Sequence, residues 1–126
     1  MIRCYEHSDY RMLCRWLEHY EIANPDPDYF SDCGFVVDER AIGFLFRTPS
    51  KSCYIDHVAA DPITNSFDRR LALQTLFEKL EQVAKDDGFG MITALARLPA
   101  MKEHFQRRGY SEFGDFTLFF KYLKGN

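Results

Sequence analysis

The sequence predicts an α/β (α+β) fold, a mixed β-sheet with helices packed on its faces. Three observations carry that expectation. Ala72, Leu73, Leu76, Phe77, Leu80, Val83 and Ala84 recur at helical spacing, so one apolar stripe runs along a helix from about Phe67 or Asp68 to Lys85. Strand-like runs at residues 53–60 and 91–96 flank this helix, which makes a crossover unit with parallel strands and a right-handed connection. Two further runs, residues 34–38 and 41–47, precede it. The hairpin turn Asp38-Glu39-Arg40 joins them, and they continue antiparallel into residues 53–60.

The remaining elements follow in order. Residues 1–5 are a short apolar-rich strand. His7-Ser8-Asp9 supplies a helix start, and Tyr10, Leu13, Cys14 and Leu17 fall at i, i+3, i+4 and i+7, widened by Trp16 and Tyr20. Residues 21–32 contain Pro25 and Pro27 and are expected to form a loop with at most a turn or two of helix. That loop carries Asp26, Asp28 and Asp32. It is either a solvated connection or an acidic lip that attracts a cationic substrate.

The long helix has Asp68 near its start, Lys79 and Lys85 towards its end, and Gly88 where a helix-terminating glycine belongs. Leu98-Pro99 opens a further helix that ends at Arg107-Arg108-Gly109. Two closing strands are expected near residues 110–113 and 116–123. The full order is β-α-β-β-β-α-β-α-β-β.

A chain of 126 residues suffices for one domain with a real core and not for two, so residues 1–126 are read as a single domain. Hydrophobic content of 46% and charged content of 28% place it among soluble globular proteins, and the 12 Phe and 7 Tyr imply a core filled with rings. The net charge of −3 argues against a general nucleic-acid partner. The sequence has no signal peptide and no apolar run of about 18 residues, so no membrane association and a cytoplasmic location are expected. Cys4, Cys14, Cys33 and Cys53 show no CxxC spacing and are expected as buried thiols. His7, His19, His57 and His104 have no ligand-like spacing, so no metal site is expected. Cys53 and His57 share a face of an ideal strand but lie roughly 13 Å apart along it, too far for a nucleophile–base pair.

Taken together, several segments resemble the GNAT acetyltransferase family across almost the whole chain. Ile2-Arg3 with His7-Ser8-Asp9 is similar to the family's opening strand and helix, and Ala60-Asp61-Pro62 to the end of its fourth strand. Leu76–Phe89 (LFEKLEQVAKDDGF) is similar to its long helix, His104–Tyr110 (HFQRRGY) to its "LYEKLGF" segment, and Phe116–Leu123 to its closing strand. The resemblance implies acetyl-CoA as co-substrate and an amine of a small molecule or protein as acceptor. It also implies that backbone N–H groups near Val58, Ala59 and Ala60 stabilise an oxyanion, and that the pyrophosphate lies over Arg69, Arg70, Leu71, Ala72 and Leu73. The proton acceptor would come from the fourth strand, where Asp56 and His57 sit.

The sequence departs from the family pattern at two places. The family's Arg/Gln-x-x-Gly-x-Gly/Ala turn has lost its glycines here, and the turn before the helix is longer than usual. Arg69 and Arg70 are then either replacement phosphate ligands or an exposed first turn, capped by Asp68 or Ser66. The tyrosine that protonates the leaving thiolate falls at Phe105, and the earlier asparagine falls near Leu98. Tyr110 and Tyr54 are unaligned stand-ins. On an ideal strand Asp56 and His57 point to opposite faces, so only one would reach a given site, His57 directly or Asp56 through a water. The alternative reading is a catalytically inactive GNAT-fold binding or structural protein; such relatives include virus-encoded ones. A third is transfer of a different acyl group. A homodimer through the closing strands is a further expectation.

Overall fold

The computed structural model describes residues 1–114 and 117–123. Five strands, β1 (Ile2–Cys4), β2 (Cys33–Val37), β3 (Ala41–Phe46), β4 (Ser52–Ala60) and β5 (Met91–Ala94), form one sheet in that spatial order. Neighbours are antiparallel except β4 and β5, which are parallel. Among the described residues three helices, α1 (Tyr10–His19), α2 (Ser66–Asp86) and α3 (Pro99–Arg107), accompany it, with single 3-10 turns at His7–Asp9 and Pro27–Tyr29. Among the described residues no helix is long and apolar enough to cross a membrane.

Each face of the sheet has its own core. Cys33, Val37, Ala41, Leu45, Cys53, Ile55 and Ala60 pack against Ala72, Leu73, Leu76, Phe77, Leu80 and Ala84 of α2, with Met101 and Phe105 of α3 completing the layer. These are the stripe positions expected of the long helix. Burying each of its larger side chains stabilises the fold by about 1.5–3 kcal/mol before entropy is counted. The opposite face carries Val36, Ile42, Phe44 and Ala59 against Leu13, Trp16 and Leu17 of α1.

Helices α2 and α3 end in the same way. Past α2, the Gly88 N–H donates to the Lys85 carbonyl and the Phe89 N–H to the Ala84 carbonyl, both at 3.0 Å, with Gly88 at φ +85°. Past α3, Gly109 and Tyr110 make the equivalent bonds to Gln106 and Phe105, and Gly109 has φ +89°. This double closure needs a left-handed residue, which glycine adopts without steric cost. It turns Phe89 and Tyr110 back onto the core.

Arg3 locks the start of the chain. Its guanidinium donates to both carboxylate oxygens of Asp9 at 2.7 and 2.9 Å and to both of Glu39 at 2.9 and 3.0 Å. Asp9 in turn accepts the Glu6 N–H at 2.8 Å. One side chain therefore ties β1 to the entry of α1 and to the β2–β3 turn. The bonds from Arg3 hold the Asp9 carboxyl below the usual carboxylate range despite its burial.

One expectation is met and one changes. The loop at residues 21–32 contains one 3-10 turn, capped by Asp26, whose carboxylate accepts the Asp28 N–H at 2.9 Å. The closing strands are not found: residues 110–113 and 117–123 carry no strand, and Phe116 lies outside the described residues. A strand needs a partner edge as well as β-forming residues. Here Tyr110 and Glu112 are instead tied by side chains to Glu81 and Lys102, and Leu118, Phe119, Phe120 and Leu123 are exposed.

Replacing Arg3 by Met is expected to lower stability by about 1–2 kcal/mol at pH 7, read as a lower urea midpoint. Because the folded-state pKa of Asp9 is depressed, its contribution is present above its unfolded value near ~3.9 and is lost as pH falls. The difference between variant and parent therefore narrows below about pH 4.

Candidate functional site

The site is built by one extra residue in β4. Phe44 pairs with Asp56 and Ile42 with Ala59, so two steps along β3 face three along β4. The surplus falls at His57 and Val58, and His57 takes the left-handed conformation, φ +53°. The side-chain alternation shifts by one across this bulge. Cys53 and Ile55 face α2 before it, whereas Val58 and Ala60 do so after it. Opposite the bulge stands Gly43; a Cβ there would meet Leu76 Cδ2 at 2.9 Å and Val58 at 3.3 Å, so α2 rests directly on this part of the sheet.

The bulge overturns the expectation that Asp56 and His57 point to opposite faces. Both lie on the α1 side, with His57 Nε2 3.9 Å from Asp56 Oδ2. The His57 backbone N–H donates to Asp56 Oδ1 at 2.7 Å. His57 is likewise removed from the face that holds Cys53, whose thiol lies in the α2 core and is pushed up by burial.

Around the imidazole stand rings from two segments, the 21–32 loop and β3. Phe30 from the 21–32 loop is 4.9 Å away by ring centroids, Phe46 5.8 Å and Phe44 6.2 Å. Tyr54 stacks on Phe46 at 4.8 Å. Burial among these rings pushes the His57 pKa below its ordinary value; Asp56 pulls it up, and Arg97 pushes it further down. Tyr54 is raised by burial and by Asp56, so its phenol keeps its proton.

Asp56 is only 8% exposed, and its counter-charge comes from outside its own strand. Arg97 Nη2, from the segment after β5, donates to the two carboxylate oxygens at 3.3 and 3.4 Å. It crosses the place where β4 and β5 part. Their pairing ends at Ile55 and Ala94, and the last bond runs from the Leu95 N–H to the Ile55 carbonyl at 3.1 Å. Past that bond, residues 56–60 have no strand partner on their β5 side among the described residues. A cleft of about 1000 Å³ runs along β5 beneath α3 and reaches Arg97.

The start of α2 is more self-contained than expected. Asn65, not Asp68 or Ser66, is the cap: its side chain accepts the Asp68 N–H at 2.9 Å and donates to the Asp68 carboxylate at 2.8 Å. The Arg69 guanidinium donates to the Thr64 carbonyl at 2.9 Å and to Pro62 at 3.5 Å, closing its own turn. Arg70 has no such acceptor among the described residues. It stands with Arg107 near His104, whose pKa is lowered first by burial and then by Arg107, Arg70 and Arg69. Leu71 is exposed, whereas the side chains of Ala72 and Leu73 lie in the core.

Of the other candidates, Phe105 is a core ring, 4.7 Å from Phe77. Tyr110 donates its O–H to Glu81 at 2.9 Å, and Arg108 holds the same carboxylate at 2.6 and 3.0 Å. Leu98 is the residue before α3 and offers no side-chain bond. The sequence reading missed Arg97 and Phe30. Neither has a local signature, since each acts through a contact far away in sequence.

No protein-family model matches the sequence, and no curated protein does. Solved structures do match. A Mycobacterium tuberculosis protein in complex with CoA is similar over 94% of this chain and 76% of its own, with a TM-score of 0.73 at 19% identity. An acetyltransferase of Trypanosoma brucei aligns over 96% and 99%, TM-score 0.70, at 14% identity. A GNAT-family acetyltransferase of Staphylococcus aureus aligns over 90% and 85%, TM-score 0.69, at 11% identity. At these identities the likeness establishes the fold.

The imidazole of His57 is expected to titrate below about 6.5, the ordinary histidine value. A pH series of two-dimensional NMR spectra on the protein alone reads this directly; a midpoint above that value would contradict the buried, aromatic setting.

Proposed function

We infer that this chain, which has the GNAT acetyltransferase fold, transfers an acetyl group from acetyl-CoA to an amine of a small molecule or protein. The reading rests above all on the Asp56–His57 pair at the parting of β4 and β5. His57 is neutral near pH 7 and can take a proton from an ammonium group. The freed amine attacks the thioester carbonyl carbon, the C–N bond forms, and charge gathers on the carbonyl oxygen. Past Ile55 the β5 side of the Val58–Ala60 stretch has no strand partner among the described residues, and the backbone N–H groups that face that side would stabilise the oxyanion. The C–S bond then breaks; the CoA thiolate takes a proton from Tyr54, two residues from Asp56 on β4, or from water, and the amide nitrogen returns its surplus proton to that donor. Asp56, 3.9 Å from Nε2, makes no hydrogen bond to the imidazole and balances the charge of His57 once it is protonated. Phe30 brings the acidic 21–32 loop beside the imidazole, which supports a cationic acceptor.

The co-substrate's phosphates would lie at the start of α2, over residues 69–73. Arg69 is engaged with its own turn, so Arg70 carries the larger share of the charge. A second reading, a GNAT-fold binding or structural module without turnover, is favoured by that same closed turn. There Asn65 already caps the helix, and Asp68 places a negative charge where phosphate would sit.

Acetyl-CoA binding at micromolar level is expected to raise the melting temperature by linkage. Absence of any shift at millimolar acetyl-CoA would leave only the module. Arg70→Ala should weaken binding about tenfold and Arg69→Ala less, measured by calorimetry. His57→Ala should lower kcat by about 10²–10⁴-fold, and full activity in that variant would remove His57 from the mechanism. Turnover in the parent protein should rise with pH through a value below ~6.5, since the base acts when deprotonated.

A further inference from the structure

We propose that Arg97 is the positioning residue of the Asp56–His57 pair: it reaches across the gap from β5, holds the Asp56 carboxylate towards itself, and leaves His57 Nε2 free to meet a substrate. The proposal rests on the reading of His57 as proton acceptor and adds to it the residue that keeps it available.

The geometry is a competition for one buried carboxylate. Asp56 Oδ1 accepts the His57 backbone N–H at 2.7 Å and Arg97 at 3.3 Å. Asp56 Oδ2 accepts Arg97 at 3.4 Å and lies 3.9 Å from His57 Nε2, beyond hydrogen-bond range. A buried carboxylate needs a cation or several donors. With Arg97 in place it has one, and the imidazole is not recruited. Without Arg97, the nearest group that can become cationic is His57 itself, which would bind a proton and turn to Asp56.

Among the described residues, the other groups around the imidazole cannot substitute. Phe30 from the loop and Phe44 and Phe46 from β3 are uncharged, and Tyr54 on β4 keeps its proton. Asp56 and Arg97 are the charges that act on His57. Arg97 also belongs to the wall of the cleft along β5, with 47% of its side chain exposed. It works through Asp56 and need not touch the reacting atoms.

The test is an NMR pH titration of His57 without co-substrate, in the parent protein, Arg97→Gln, Arg97→Lys and Asp56→Asn. Arg97→Gln should move the midpoint up by about half a unit or more, and Arg97→Lys should stay near the parent value. In the Asp56→Asn background the effect of Arg97→Gln should shrink to the direct repulsion between Arg97 and the imidazolium, because the route through the carboxylate is gone. An unchanged or lowered midpoint in Arg97→Gln overturns the proposal. So does an upward shift that persists undiminished without Asp56, since Arg97 would then act directly on the imidazole. If Arg97→Gln does not fold, Arg97→Met takes its place and must show the same upward shift; a midpoint at or below the parent value overturns the proposal. Acetyl transfer is judged separately. A shift in a protein that shows no turnover leaves the positioning role and removes the enzyme reading. Turnover with no shift does the reverse. Where both hold, the acidic limb of kcat/KM should move up with the His57 midpoint and kcat/KM at pH 7 should fall, roughly tenfold.

Discussion

The surplus residue in β4 is the constraint on which the site depends. A regular strand would send Asp56 and His57 to opposite faces and keep Val58 and Ala60 off the α2 core. With the bulge, the part of β4 before it and the part after it can both present apolar side chains to α2. The two polar residues between are collected on the other side. The cost is a non-glycine residue at φ +53°, of order 1–2 kcal/mol, which surrounding contacts must offset. Gly43 meets that need from below by letting α2 press against the bulge, and the rings of Phe30, Phe44 and Phe46 meet it from above.

Charge then follows from burial. Asp56 lies almost wholly inside the protein, so the fold has to bring it a cation, and the parting of β4 from β5 leaves room for Arg97 to enter. The same principle appears twice elsewhere. Arg3 serves Asp9 at the start of α1, and Arg108 serves Glu81 beside α3, where Tyr110 shares the carboxylate. In those two cases the pair ties elements together. At Asp56 a histidine of lowered proton affinity stands beside the pair, and that adjacency separates a structural ion pair from a candidate for proton transfer.

The α2 start shows the opposite economy. An anion-binding helix start keeps free N–H groups and a glycine-rich approach. This one is closed by Asn65, flanked by Asp68, and stiffened by Arg69 bonding to its own turn. Acetyl transfer on this fold would rely less on backbone cradling and more on the cationic side chain of Arg70. A binding module would have no need of either.

The sequence by itself determined the elements whose cause is local. The stripe of α2, the glycine closures after α2 and α3, the β2–β3 hairpin and the parallel β4–β5 pair were legible, because periodicity and turn chemistry are written within a few neighbouring residues. It also located the polar pair in β4. Only the tertiary structure decided how that pair faces. A bulge is a mismatch of register between two strands, and neither strand alone encodes it: Asp56-His57-Val58 reads as ordinary strand until β3 is laid beside it. Arg97 and Phe30 entered the site for the same reason, since each meets its partner across tens of residues of intervening chain. The closing strands mark the limit from the other direction. Aromatic, β-forming residues predict a strand, but pairing is a property of two edges, and residues 117–123 have none here.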